Sequence, residues 1–134
     1  MARRMIDQAT RTGFILYVVK YKECVSFYRD LLGLRVMFCT ETLTCFDFGG
    51  SYLMVEVDDP RSTDPRPDQV TCLRLNVRDV KSCAQLLSSK GVEVDYQEHA
   101  WGTVAKFEDP DGNLCAFKDD AKFEAQVKDG FGSS

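Results

Sequence analysis

At 134 residues the chain is long enough for one domain with a real core and too short for two of ordinary size. Hydrophobic residues make up 44% and charged residues 28%, the balance of a soluble globular protein and not of a disordered or membrane-embedded one. A formal net charge of −4 argues against nucleic acid as a partner, because phosphate contacts need a clustered excess of Lys and Arg.

The opening "MARRMIDQAT" carries two arginines, but no apolar run of signal-peptide or membrane-spanning length comes after it. A cytoplasmic location without membrane contact is expected. Six cysteines (Cys24, Cys39, Cys45, Cys72, Cys83 and Cys115) are scattered through apolar segments with no CxxC pair, as expected of buried free thiols in a reducing compartment.

The run "GFILYVVKYKECVSFYRDLLGLRVMF" starts as a strand and then changes period. Val25, Tyr28, Leu31 and Leu32 share one helical face, and Gly33 is a good helix stop. Strand runs come next in "LRVMFC", "TCFDFG" and "SYLMVEV". The proline-rich, charged "DDPRSTDPRPDQ" can be neither central strand nor helix interior, which makes 58–70 a linker.

The second half repeats the first. In "CLRLNVRDVKSCAQLLSSKGVEVDY", Val77 stands where Val18 stood, Val80 where Tyr21 stood, and Gly91 ends the second helix as Gly33 ended the first. Three strand runs succeed it again, in "VEVDYQ", "TVAKFE" and "LCAFKD". The pattern is a tandem βαβββ repeat of class α+β, with modules at about 13–57 and 71–118. The tail 119–134, "DDAKFEAQVKDGFGSS", is expected to carry a short amphipathic helix before a flexible end.

With this repeat the chain resembles the vicinal oxygen chelate superfamily, which includes glyoxalase I, extradiol dioxygenases and bleomycin-resistance proteins. "SFYRDLLGL" after the first strand and "DPDGN" before the last carry the resemblance, which covers about Gly13 to Lys118. It implies a curved mixed sheet whose concave side forms a cleft.

Alternation along the strands sorts side chains between the two faces. Phe14, Leu16 and Val18 of the first strand, and Leu73, Leu75 and Val77 of its repeat, should pack under helices. Gly13, Ile15 and Tyr17 then face the cleft, with Tyr52, Met54 and Glu56, with Cys72, Arg74 and Asn76, and with Leu114, Ala116 and Lys118. Metal-using relatives place ligands at four such positions, which fall here on Gly13, on Met54 or Glu56, on Cys72 and on Ala116. Only Glu56 and Cys72 carry donor atoms suited to a metal, and the single histidine, His99, rules out a site of two histidines and a carboxylate. No cofactor and no catalytic metal are therefore expected.

Each remaining candidate has a structural alternative. Glu56 either pairs with Arg74 or contacts a ligand, since a carboxylate buried alone is costly. Cys72 reads as a small buried residue. His99, in "QEHAWGTVAKF", is a general base only if a nucleophile stands nearby. Trp101 beside it is a ligand wall or a packing residue.

The resemblance is closest to the metal-free, bleomycin-resistance-like members. It implies a small-molecule-binding protein that sequesters an aromatic or amphipathic compound in a homodimer, the expected ligand contacts being Tyr17, Tyr52, Met54, Glu56, Arg74, Asn76 and Trp101. The charge of that compound is left open, because Arg74, Lys106 and Lys118 stand against a cation. The alternative is a divergent lyase or dioxygenase with a non-standard metal site.

Overall fold

The structure, a computed structural model, describes residues 4–58 and 71–130. Apart from Asp58, the linker predicted at 58–70 lies outside the described residues, as do the last four residues of the tail.

Strands β1 (Ala9–Val18), β2 (Val36–Cys39), β3 (Leu43–Phe48) and β4 (Ser51–Val57) form one half, and β5 (Thr71–Val77), β6 (Asp95–His99), β7 (Gly102–Glu108) and β8 (Leu114–Asp119) the other. They make one eight-stranded sheet in the order β2-β3-β4-β1-β5-β8-β7-β6. Within each half the first and last strands pair in parallel, β1 with β4 and β5 with β8. The halves join where β1 and β5 run antiparallel, with Gly13 opposite Arg74 and Ile15 opposite Cys72. The duplicated sequence is thus a duplicated structure, and residues from both repeats meet on the central strands.

Helix α1 (Tyr21–Ser26) covers the first half and α2 (Val80–Ser89) the second. Asp79 caps α2 by accepting a hydrogen bond from the Ser82 N–H at 3.0 Å, which satisfies one of the four amides a helix start leaves free. Helix α1 departs from the expected single amphipathic stretch. It widens into a π-helical turn, Phe27–Leu31, closed by Leu32 N–H to the Phe27 carbonyl at 3.0 Å. The extra residue in that turn rotates the chain beyond it relative to an ordinary helix. Val25 and Tyr28 pack on the sheet, whereas Leu31 and Leu32 are 73% and 55% exposed, and Leu34 takes the inward place instead.

The "DPDGN" segment is a turn held by one side chain. Asp109 accepts hydrogen bonds from the backbone N–H groups of Asp111 and Asn113, both at 2.9 Å, and Gly112 supplies a φ of +87°. These contacts, the Asn113 side chain foremost, hold the Asp109 carboxyl below its usual range.

Apolar side chains pack on both faces of the sheet. On the convex side, Leu16, Val18, Leu53 and Val55 meet α1, and Val77, Ala105 and Phe117 meet α2. Phe14 and Leu73, expected under helices, are instead exposed, because they are cross-strand partners on the two central strands, between the territories of α1 and α2. On the concave side, Ile15, Phe38, Cys45, Tyr52, Met54, Cys72, Leu114 and Ala116 form one cluster. Its last member comes from helix α3 (Asp120–Asp129), which lays Phe123 on that face. No helix of the described residues is long and apolar enough to cross a membrane.

Candidate functional site

The site is the concave surface around β1 and β5, and strand register determines which side chains share it. Gly13 pairs with Tyr52 on β4 and with Arg74 on β5, and Arg74 pairs in turn with Ala116 on β8. One step along, Arg11, Asn76 and Lys118 form the next row.

Tyr52 organises this surface, and Gly13 is the reason it can. A Cβ at position 13 would sit 2.6 Å from three atoms of the Tyr52 ring, so only glycine lets the ring lie down on the strand. Flat against β1, the ring reaches across to β5, where its hydroxyl donates to Asn76 Oδ1 at 2.8 Å. Phe123 covers it from α3, with ring centroids 4.4 Å apart, and Phe38 meets Phe123 edge-on at 5.5 Å. Burial pushes the Tyr52 hydroxyl up to about 12, against the opposing pull of Arg74, so it stays a neutral donor at physiological pH.

The buried polar side chains of β5 and β8 beside this aromatic stack are two cations, Arg74 and Lys118, and the amide of Asn76. Arg74 is buried, its guanidinium 6.0 Å from the Tyr52 ring centroid. Arg74 Nε and Asn76 Nδ2 are both buried without a hydrogen-bond partner among the described residues. Each such orphan costs about 1–3 kcal/mol, so two side by side on one surface call for an explanation. Lys118 is buried as well; its ammonium donates to the Trp101 carbonyl at 3.1 Å and lies 4.7 Å from the centre of that indole. Burial, with Arg74 adding repulsion, brings its pKa down to about 8. Gly102 makes room for it: φ is +137° there, and a Cβ would strike Lys118 Nζ.

Glu56 forms no salt bridge with Arg74. In register it stands opposite Tyr17, whereas Arg74 stands opposite Gly13, four residues and about 13 Å away along β1. Burial raises the Glu56 pKa, and the fields of Arg74 and Lys106 only partly offset the rise.

The four positions that would hold a metal in a metal-using relative do not fit one. Gly13 lies under the Tyr52 ring, Ala116 has no donor and pairs with Arg74, and of the two candidates on β4 Met54 is packed in the apolar cluster, which leaves Glu56 as the carboxylate there. Cys72 points its thiol at the Leu73 carbonyl, 3.7 Å away. Among the described residues no three His, Cys, Asp or Glu side chains gather as a metal would need.

The structure brings Tyr52, Arg74 and Asn76 together, with Met54 buried in the same apolar cluster. Tyr17 packs at the edge of that cluster, and Glu56 is half-buried beside it in register. Trp101 stands apart, 52% exposed in the turn between β6 and β7, and is linked to the site through Lys118. His99 stacks on it at 4.4 Å and meets Gln97 Oε1 at 2.7 Å. Sequence reasoning missed Phe123 as part of the surface. The Phe123 and Val127 pair, four apart in the tail, was its only signal.

The profile of the Glyoxalase/Bleomycin resistance protein/Dioxygenase superfamily matches residues 6–117, and the chain belongs to that superfamily. A comparison with curated protein sequences finds no match. Among solved structures, the chain is similar to one described as an NAD-dependent benzaldehyde dehydrogenase from Legionella pneumophila, with 17% identity, 80% of this chain and 96% of that one covered, and a TM-score of 0.67. A superfamily member from Vibrio splendidus 12B01 gives 18% identity, coverage of 81% and 97%, and a TM-score of 0.56. Homoprotocatechuate 2,3-dioxygenase from Brevibacterium fuscum gives 18% identity and a TM-score of 0.56, over 83% of this chain and 35% of that one. At such identities the likeness is one of fold.

Proposed function

We propose that this protein binds a small molecule on the concave face of its sheet without using a metal, as a sequestering member of its superfamily. The observation that carries the reading is the pairing of a buried aromatic surface with unsatisfied donors: Tyr52 beside Arg74 Nε and Asn76 Nδ2. Ligand sites are mostly apolar with a few converging polar groups, and these residues have that make-up. In this reading Tyr52 and Met54 supply contact area, Arg74 and Asn76 orient the polar end, and Tyr17, Glu56 and Trp101 form the rim. The donor set at the family's metal positions supports binding over metal-dependent turnover.

The protein acts as a homodimer in this reading. Phe14 and Leu73, exposed side by side on the convex centre of the sheet, are apolar surface suited to a second copy.

Elemental analysis of dialysed protein, with a thermal-shift screen of divalent metals and aromatic compounds, tests the proposal. Stabilisation by aromatic compounds with less than about a tenth of a metal ion per chain is expected. Stoichiometric zinc, iron, nickel or manganese would overturn the metal-free reading.

A further inference from the structure

Helix α3 lies where a ligand of the concave face would lie, and its contacts display what that face accepts. It places one aromatic ring, Phe123, against Tyr52 and Phe38. It also brings two carboxylates: Asp120 accepts from the Thr10 hydroxyl at 2.7 Å, and Glu124 accepts from Arg11 Nε at 3.0 Å. Beside Tyr52, Arg74 Nε and Asn76 Nδ2 remain without partners among the described residues. The helix therefore satisfies the aromatic half of the surface and two outer donors, the Thr10 hydroxyl and the Arg11 guanidinium, and leaves the inner donors unmet.

We infer that the ligand is an aromatic anion, which displaces α3 by putting its own ring in the Phe123 position and its charged group on Arg74 and Asn76. The inference rests on the concave face being the ligand site. Three features support it. Release of α3 frees Arg11 from Glu124, so the surface grows more cationic as the helix leaves. Lys118, buried one strand over from Asn76, adds to the same field. An open depression of about 660 Å³, lined by Thr10, Arg11, Arg35, Met37, Asp47 and Val127, borders the helix and gives the incoming molecule a way in. A ligand that must compete with a resident side chain binds with an affinity reduced by the fraction of molecules in the open state.

The test uses the full chain and a matched pair of probes, 1-anilinonaphthalene-8-sulfonate and the uncharged N-phenyl-1-naphthylamine. Both are titrated by dye fluorescence while hydrogen exchange is followed at the amides of residues 120–129. The sulfonate should bind about tenfold more tightly than the neutral dye and speed exchange in α3, since charge-assisted hydrogen bonds to Arg are among the stronger polar contacts. Phe123→Ala should tighten sulfonate binding several-fold, and Arg74→Met should cancel the preference between dyes. Equal affinities with accelerated α3 exchange would refute the anion and leave the concave site standing. Sulfonate binding with α3 exchange unchanged would refute the displacement. If neither dye binds the folded wild type or folded Phe123→Ala, the concave site falls together with the inference. Should Arg74→Met not fold, the dye pair on the wild type decides alone.

Discussion

Gly13→Ala tests whether the Tyr52 ring is what organises the concave face. The added Cβ would lie 2.6 Å from ring atoms, where real Cβ contacts essentially never fall. The ring has no free direction: Phe123 covers it, and its hydroxyl is tied to Asn76 Oδ1 at 2.8 Å. Overpacking of this kind costs about 1–3 kcal/mol, and losing the hydrogen bond adds about 1 kcal/mol. Replacing glycine within a strand returns about 0.5–1 kcal/mol by lowering the entropy of the unfolded chain. The net loss is about 2 kcal/mol, or a urea midpoint lower by about 1 M. The second arm removes the ring. In a Tyr52→Ala background the same alanine should be neutral or mildly stabilising, giving a coupling of about 2 kcal/mol or more in the double-mutant cycle. Equilibrium urea unfolding followed by circular dichroism reads both arms. A Gly13→Ala midpoint equal to that of the wild type would refute the steric argument, and so would a loss that persists without the ring.

Two further outcomes are expected. Lys118 has a folded pKa of about 8, below its usual 10.5, so from about pH 8 to pH 10 the unfolded chain binds more protons than the native one, and this group's contribution to stability rises with pH. Buried thiols such as Cys45 act in the opposite direction at alkaline pH, so the check is the difference between the wild type and Lys118→Met in thermal melts. The wild type should gain on the variant by on the order of 2–3 kcal/mol over that window, and a flat difference would contradict the burial of the ammonium. Light scattering at micromolar concentration should give a species of twice the 15.2 kDa chain mass, and Phe14→Lys should shift it toward monomer; a wild-type monomer would remove the dimer.

Much of the fold was legible because it comes from local periodicity written twice. Alternation assigned Ile15, Tyr52, Met54, Cys72, Arg74 and Asn76 to one face, and a strand needs no distant partner to have two sides. The turn at Asp109, within the "DPDGN" motif, is local for a like reason, since Asp, Gly and Asn form it among themselves. The π-helical turn was not, because the same apolar residues suit an ordinary helix, and only packing against the sheet selects the wider turn that sends Leu31 and Leu32 outward.

The candidate site divides along the same line. Chain chemistry alone determined that a site of two histidines and a carboxylate cannot be built from one histidine, and that glycine and alanine stand at two of the positions where the family resemblance puts ligands. Tertiary structure decided everything that depends on two distant segments meeting. Gly13 became the floor for a ring 39 positions further on, Glu56 and Arg74 fell four residues out of step on β1, and a tail helix took the concave face with Phe123. The physical reason is that register and helix docking are set by the summed packing of the whole molecule. No local window of sequence contains that sum.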